Sequence, residues 1–362
     1  MMALSLSEMP ADFVNSYILN SVGSTGNNVG ACASFLYNLR QGIVDIQTGK
    51  AKVVFVGNAE APVVPDVING FRVMGALATD ESLCELDNTE TPNNRRACRP
   101  FSTNSGFTLA ESVQFFVLME DELALKLGMN IYGAIPDVFI NADANKKSIA
   151  SPGIGNYITI AKATALTQKI IGAENINKTY VQAHGTGTPQ NRVTESHILN
   201  EVAKTFNITD WAVTAIKSYV GHSVSVAGGD QLATDVHDSN LNILTDHKYV
   251  GEKGNEILAT IINSKGFGGN NASAIVLSPA QTMKMLTKKY GQQAISNYQS
   301  KNIVIKNKAQ QNDLNACAGN ERIIYKFGES MMDQDSITMS QSDIKLTEFK
   351  HKINLPSNPY KE

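Results

Sequence analysis

The chain has 362 residues, 42% of them hydrophobic and 18% charged, with 31 Lys and Arg against 34 Asp and Glu. That composition fits a globular protein long enough for one large domain or two to three ordinary ones. A net charge of −3 with scattered basic residues excludes the clustered basic face of a nucleic-acid binder, and no run reaches the about 18 apolar residues of a membrane span.

Residues 1–10 lack a basic stretch followed by an apolar run, which argues against a secretory signal. The four cysteines, Cys32, Cys84, Cys98 and Cys317, show no CxxC spacing, so zinc and thioredoxin-like readings are weak. Their small number in a long chain predicts reduced thiols and a cytoplasmic location.

In chain order, the first pattern is Val29-Gly30-Ala31-Cys32-Ala33-Ser34, a cysteine among small residues. Over 34–48, Leu36, Leu39, Ile43 and Ile46 recur at helical spacing. They predict a helix with one apolar face that begins just past the cysteine. A helix N-terminus offers unpaired N–H groups and the positive end of the dipole. The cysteine is therefore expected to carry a lowered pKa. A buried structural cysteine at a tight turn fits the same residues.

Strands are predicted at 52–56, 179–183, 212–216, 257–262 and 274–277, each a short apolar, partly β-branched run. Helical patterns between some of them predict an α/β layered fold. The strand at 179–183 runs into His184-Gly185-Thr186-Gly187-Thr188-Pro189, which puts a histidine at a strand's C-terminal end, where α/β folds hold functional groups. The strand at 212–216 runs into Lys217-Ser218-Tyr219-Val220-Gly221-His222, a lysine and a histidine within reach of one pocket. The last two strands flank Gly266-Phe267-Gly268-Gly269-Asn270-Asn271, a hairpin turn whose glycines free the Phe267 N–H. Each motif has a plain structural alternative: a core histidine, a solvated loop lysine, an ordinary Gly-rich hairpin. Past about residue 282 the chain turns polar, with strand-like pieces at 302–305 and 322–327. The sequence thus divides into 1–147, 148–282 and 283–362.

Together and in this order, the cysteine elbow, HGTGTP, KSxxGH and GFGGxNA resemble the β-ketoacyl synthase family of the thiolase-like superfamily, over roughly residues 10–280. Details at 29–33 and 123–128 are similar to the ketosynthases of type I fatty acid synthases. The resemblance implies a thiolase-like layered α-β-α-β-α fold. It implies a 3-oxoacyl-acyl-carrier-protein synthase, an acyltransferase performing decarboxylative Claisen condensation of an acyl thioester with malonyl-acyl carrier protein in fatty acid biosynthesis. A polyketide-type ketosynthase is the alternative pathway reading. A thiolase is disfavoured because Gly266-Phe267 stands where that class has a second cysteine.

Residue by residue, the resemblance implies Cys32 as the acyl-accepting nucleophile. His184 and His222 become neutral Nε2–H donors to the malonyl thioester carbonyl. Lys217 supports the site electrostatically and Glu195 pairs with that lysine. The backbone N–H groups of Cys32 and Phe267 form an oxyanion hole, and Phe267 is also the gate. Substrate contacts fall to Thr186, Thr188, Gly268 and Asn271. No metal is implied, and no cofactor beyond the phosphopantetheine of an acyl carrier protein. The implied partners are that carrier protein and a second copy of the chain in a homodimer, with no nucleic acid and no membrane. His197, His237, His247, His351, Cys84, Cys98 and Cys317 match no motif. Arg99-Pro100-Phe101 and Gly106-Phe107 are read as fold, not chemistry.

Three departures stand out. The family commonly has Gly-Asp where this chain has Asn191-Arg192, which predicts altered ion pairing near Glu195. Ser225-Val226-Ala227-Gly228 is bulkier than the family's run after His222. Only 31 residues precede Cys32, fewer than the family's first strands need. The N-terminal half is therefore expected to be incomplete, with an exposed sheet edge and apolar faces. A catalytically incompetent fragment or structural dimer partner is the corresponding alternative.

Overall fold

The apolar runs between 138 and 277 assemble, in the computed structural model, into one mixed five-stranded sheet. The structure describes residues 6–148, 151–236, 256–320, 328, 331, 333–347 and 349–359. His237, His247 and the strand expected at 322–327 lie outside them. The chain forms two compact units, Asn27–Cys317 and a smaller one made of Met1–Gly26 with Ala318–Glu362.

The smaller unit holds α1 (Met9–Phe13) and a following π-helical turn (Val14–Leu19). The larger unit begins with α2 (Ser34–Gln47), β1 (Val53–Glu60), α3 (Pro65–Val73), α4 (Asp80–Asp87), β2 (Ser112–Met119), α5 (Asp121–Leu127) and β3 (Val138–Ala142). It continues with α6 (Gly155–Ile171), β4 (Thr179–Gln182), α7 (Pro189–Thr205), β5 (Ala212–Thr214), α8 (Lys217–Val220) and α9 (Ala227–Val236). It ends with β6 (Ala259–Gly266), β7 (Asn270–Leu277), α10 (Pro279–Tyr290) and α11 (Gln292–Cys317). In the smaller unit, β8 (Thr338–Met339), β9 (Asp343–Lys345) and β10 (Ile353–Asn354) form an antiparallel sheet of order β10-β9-β8.

The five-stranded sheet has the order β3-β7-β6-β4-β5. β3 and β6 are antiparallel to β7, whereas β4 is parallel to both β6 and β5. Gly268 and Gly269 close the β6–β7 hairpin with φ of 88° and 90°, angles that only glycine adopts without strain. On one face, Phe35, Leu36, Leu39 and Ile43 of α2 pack with Leu232 of α9 against Val138, Ile262, Ala272 and Ala274. On the other, Ile160, Ala163 and Ile171 of α6 and Ile198, Leu199 and Val202 of α7 meet Val181, Ile261, Ile275 and Leu277. The apolar face read from 34–48 is thus the face α2 buries.

β1 and β2 make a separate antiparallel ribbon on the far side of α2. Its inward residues Val54, Val56, Phe116 and Leu118 join the α2 core. Its outward residues Val53, Phe55, Val113, Phe115 and Val117 are exposed, Val113 to 64% and Val117 to 53%. The layers present are helix, sheet, helix and ribbon, with the ribbon's apolar outer face exposed.

Two expectations are corrected. The division at 147/148 separates no compact units, because β3 pairs along its whole length with β7 and the two share one core. Residues 302–305 are not a strand: they continue the long helix α11, where Asn302 is buried and its side-chain amide donates to the Gly128 and Met129 carbonyls. Those carbonyls lie just past the end of α5, and Lys301 of α11 donates to the Lys126 carbonyl at 2.8 Å, one of the last-turn acceptors that α5 leaves without an intrahelical partner. Residues 283–317 accordingly fold with the larger unit rather than as part of a separate polar extension.

Candidate active site

Because β4, β5 and β6 run parallel, their C-terminal ends emerge along one edge. His184 follows β4, Lys217 and His222 follow β5, and Phe267 follows β6. The cysteine elbow approaches this edge from the N-terminus of α2. Ala31 adopts a left-handed φ of 50°, a turn fixed by the Ser34 hydroxyl, which accepts from Gly30 N at 2.9 Å and donates to Ala31 O at 2.7 Å. Ser264 of β6 donates its hydroxyl to the Cys32 carbonyl at 3.0 Å. A Cβ on Gly266 would fall 2.2 Å from Gly30 O, so only glycine lets β6 pass this close to the elbow. That passage brings Phe267 beside Cys32. Among the described residues, the N–H groups of Cys32 and Phe267 donate to no other residue.

Cys32, His184, His222 and Phe267 line one cavity of about 310 Å³, together with Thr186 and Thr188. The two imidazoles stand nearly perpendicular, ring centroids 5.7 Å apart. Phe107 meets the His222 ring edge-on at 5.0 Å. Among the described residues, none bonds the buried Nδ1 atom of either imidazole, so none of them fixes a tautomer through that atom.

Burial sets the protonation of the site. It holds His184 well below the usual histidine pKa, aided by the positive charges of Lys217 and Lys265 and by His222. It does the same to His222, again with help from Lys217. Both rings are therefore neutral near pH 7. The lowered cysteine pKa expected from the helix N-terminus is not what the structure gives. Burial pushes the Cys32 thiol up to about 11, and the Lys217 charge only partly opposes this. The resting cavity holds a thiol between neutral imidazoles.

Glu195 and Lys217 do not pair directly. They grip the same peptide from its two sides. The Glu195 carboxylate accepts from His184 N at 2.7 Å and Gly185 N at 2.9 Å, while Lys217 Nζ donates to His184 O at 2.6 Å. Both side chains are buried and neither lines the cavity. They hold the His184 backbone rather than meet substrate. Burial lowers the Lys217 pKa, against the charge of Glu195.

The chain matches known proteins over nearly all of its length. Residues 6–124 match the family described as beta-ketoacyl synthase, N-terminal domain, and residues 132–237 match beta-ketoacyl synthase, C-terminal domain. The beta-ketoacyl-[acyl-carrier-protein] synthase FabY of Pseudomonas aeruginosa is 47% identical over 97% of this chain and 58% of its own length. The chain belongs to the β-ketoacyl synthase family. A 3-oxoacyl-[acyl-carrier-protein] synthase 2 of Synechocystis is 29% identical over 73% of this chain and 65% of its own. The crystal structure of the P. aeruginosa ketosynthase FabY superposes with a TM-score of 0.90 at 45% identity, over 99% of this chain and 59% of that one. A type II polyketide ketosynthase, solved with its acyl carrier protein, shares the fold at TM-score 0.62 and 22% identity. The chain thus spans 58–65% of the length of the FabY and synthase 2 relatives. The junction between the two matched families, between 124 and 132, lies ahead of the 147/148 division read from sequence.

Within this ketosynthase fold, Thr186 and Thr188 face the cavity and share a 3.0 Å hydroxyl contact. Asn271 also lines it, but its amide N–H groups are committed to Asn141 O, Asp143 Oδ1 and Gly269 O. Gly268 is corrected: it is absent from the cavity wall and serves the hairpin turn. Asn191 donates to Glu195 Oε2 at 2.7 Å, and Arg192 turns away to the Ser102 carbonyl. The charge change at 192 therefore leaves Glu195 untouched. Val226 is fully buried off the cavity, so the bulkier run after His222 does not narrow it.

Sequence reasoning missed several residues. Phe107, read as fold, is part of the cavity wall. Asn263 anchors the floor, donating to Glu195 Oε1 at 2.6 Å and exchanging amide hydrogen bonds with Asn156. Gln231 donates to the Gln182, Ala183 and Asn263 carbonyls. Lys265, Asp143 and Lys146 also line the cavity. Lys265 was visible inside the last motif as the one charged residue of β6. Among the described residues no group of His, Cys, Asp and Glu is arranged to hold a metal ion, and no helix is long and apolar enough to cross a membrane.

Proposed function

We propose that this chain carries the condensing site of a β-ketoacyl-acyl-carrier-protein synthase in fatty acid biosynthesis. The observation that carries the reading is the single cavity shared by Cys32, two neutral imidazoles and two free backbone donors. An acyl thioester passes its acyl group to Cys32. His184 and His222 then donate hydrogen bonds to the carbonyl of a malonyl thioester as it loses carbon dioxide, which stabilises the enolate. The enolate carbon attacks the acyl-Cys32 carbonyl, whose developing oxyanion meets the N–H groups of Cys32 and Phe267, and collapse of that intermediate breaks the C–S bond and releases Cys32 as thiolate. Because Cys32 rests as a thiol, its proton must leave during acylation, and the neighbouring imidazoles are the available acceptors. Thr186 and Thr188 offer hydroxyls to the substrate arm. The reading supplies an acyl carrier protein as donor of both thioesters, a homodimer as the working state and the cytoplasm as the place of action. No cofactor is required beyond the carrier's phosphopantetheine.

A second reading is favoured by the bare outer face of the β1–β2 ribbon: a structural ketosynthase partner without turnover. Incubation with an acyl-N-acetylcysteamine thioester, followed by intact-mass and peptide analysis, separates the two. The condensing reading expects one acyl group, on Cys32, absent from Cys32→Ala. A folded sample that takes up no acyl group supports the structural partner.

A further inference from the structure

We infer that Lys265 recognises the carboxylate of the extender unit, making the cavity selective for a thioester that bears a carboxylate on the carbon next to its carbonyl. The inference rests on the condensation proposed above and adds to it the residue that selects one substrate. Lys265 lines the same cavity as Cys32 and both histidines. Its ammonium, tethered to the cavity-lining Asn191, lies close enough to His184 for its charge to lower that ring's pKa, which places it on the histidine side of the cavity.

The ammonium of Lys265 donates to Asn191 Oδ1 at 3.2 Å. An ammonium has three donors, and among the described residues no carboxylate lies within ion-pair distance of this one. The two nearest carboxylates are already committed. Asp143 accepts from Gly155 N and Asn271 through Oδ1, and pairs with Lys146 through Oδ2. Glu195 accepts from His184 N, Gly185 N, Asn191 and Asn263. Neither can turn to neutralise Lys265 without abandoning a buried donor, which costs about 1–3 kcal/mol each. A largely buried cation with one neutral partner carries a charge that burial leaves uncompensated, which favours contact with an anion. Burial accordingly depresses the Lys265 pKa, with Glu195 and Asp143 opposing from a distance. Asn191, which stands where the family commonly has glycine, supplies the tether: it accepts from Lys265 and donates to Glu195. A glycine there has no side chain to do so.

The anion that fits is on the acyl group. A malonyl-type carboxylate lies one carbon from the thioester carbonyl that the histidines engage, whereas the phosphate of a pantetheine arm lies at its far end from the sulfur. In the reaction the bond between the α-carbon and the carboxylate breaks, its electron pair stays on the α-carbon as enolate, and carbon dioxide leaves. The contact with Lys265 therefore exists in the bound substrate and vanishes as the charge leaves. It strengthens binding without accelerating the chemical step.

The test uses the whole chain and two amide analogues, of malonyl- and butyryl-N-acetylcysteamine, in which N–H replaces sulfur so that Cys32 cannot be acylated. Calorimetric titration should show the malonyl analogue binding roughly 10- to 100-fold tighter than the butyryl analogue, the range of a charge-assisted hydrogen bond. Lys265→Met should erase that preference, Lys265→Arg should keep most of it, and Lys265→Gln, which preserves the bond to Asn191, guards against misfolding of the Met variant. With the thioester itself, Lys265→Gln should raise KM for carbon dioxide release and leave kcat unchanged or higher. The inference is overturned if the unsubstituted chain shows no preference, or if the charge-free variants retain it. It is equally overturned if Lys265 matters only for coenzyme A or carrier-bound malonyl, because the probes carry no phosphate and that outcome moves the anion to the arm. Failure of the condensing reading itself shows separately, as absence of acylation at Cys32 by the butyryl thioester.

Discussion

The five-stranded sheet and the β1–β2 ribbon both carry apolar runs, yet only the sheet, its edge strand β5 aside, is covered on both faces. Ile261, Ile262, Ala274 and Ile275 of the sheet are fully buried. The ribbon buries Val56 against α2 and leaves Val113, Phe115 and Val117 in solvent. The functional groups follow this difference. His184, Lys217 and His222 emerge from the closed sheet, and their perturbed pKa values depend on its dry surroundings. The elbow of Cys32 is pinned to the sheet by Ser264 and Gly266, not to the ribbon. A half-covered layer can therefore coexist with a closed site, provided the site leans on the closed layer.

The strongest way to break this comparison is to remove the carboxylate under the histidine. Glu195→Ala should destabilise the chain by at least about 3 kcal/mol in urea unfolding, because His184 N, Gly185 N, Asn191 and Asn263 lose their acceptor inside the sheet's edge. A loss under 1 kcal/mol means water already reaches the site.

Next comes thiol reactivity. With its pKa raised from 9.0 to about 11, Cys32 has roughly 100-fold less thiolate at pH 8 than an unshifted thiol. Iodoacetamide should therefore alkylate it roughly 100-fold more slowly than a small-molecule thiol of pKa near 9. Lys217→Met should slow it further by removing the opposing cation. Equal rates for Cys32 and the free thiol contradict the closed cavity.

A smaller effect is expected from acid. His184 and His222 are held neutral in the fold, whereas unfolded histidine takes a proton near 6.5. Below that pH the unfolded chain binds more protons than the folded one, so stability is full above about 6.5 and is lost as pH falls below it. Melting curves from pH 7.5 to 5 should show this decline, and a His184→Asn, His222→Asn double variant should flatten it.

How far the sequence led can be seen strand by strand. The runs at 179–183, 257–262 and 274–277 became β4, β6 and β7 because strands buried on both faces read as continuous apolar stretches, whereas the run at 212–216 became the edge strand β5, whose Val213 is exposed. β2 and β3 were not legible. In β2, apolar residues fill both faces, Val113, Phe115 and Val117 outward and Phe116 and Leu118 inward, so no period-2 pattern marks it. β3 is only five residues long, followed by a polar loop. The site was legible wherever chemistry fixes the residue type: cysteine at the elbow, histidine at two strand ends, glycine where β6 passes. What stayed hidden were amides and charges whose role depends on a partner far along the chain, such as Asn263 under Glu195 and Lys265 beside Asn191. Local patterns carry no information about such pairings. The raised pKa of Cys32 was misread for a related reason: the helix end is local and visible, whereas burial is global and in this site dominates.

The mildest perturbation is also the sharpest test of the comparison, because it asks the ribbon's two faces to behave differently. Val117 points outward from β2 and is 53% exposed, while Val56 on the partner strand points into the α2 core and is 4% exposed. Truncating Val56 to Ala opens a cavity against Phe35 and Leu39 and should cost about 1–3 kcal/mol. Val117→Thr keeps the β-branched shape and removes only exposed apolar surface, so its effect should stay within about 0.5 kcal/mol. Should Val117→Thr instead destabilise the chain as much as Val56→Ala, and more so at higher protein concentration, the outer face is occupied in solution by another copy. The ribbon would then be as closed as the sheet, with the second copy supplying the missing layer.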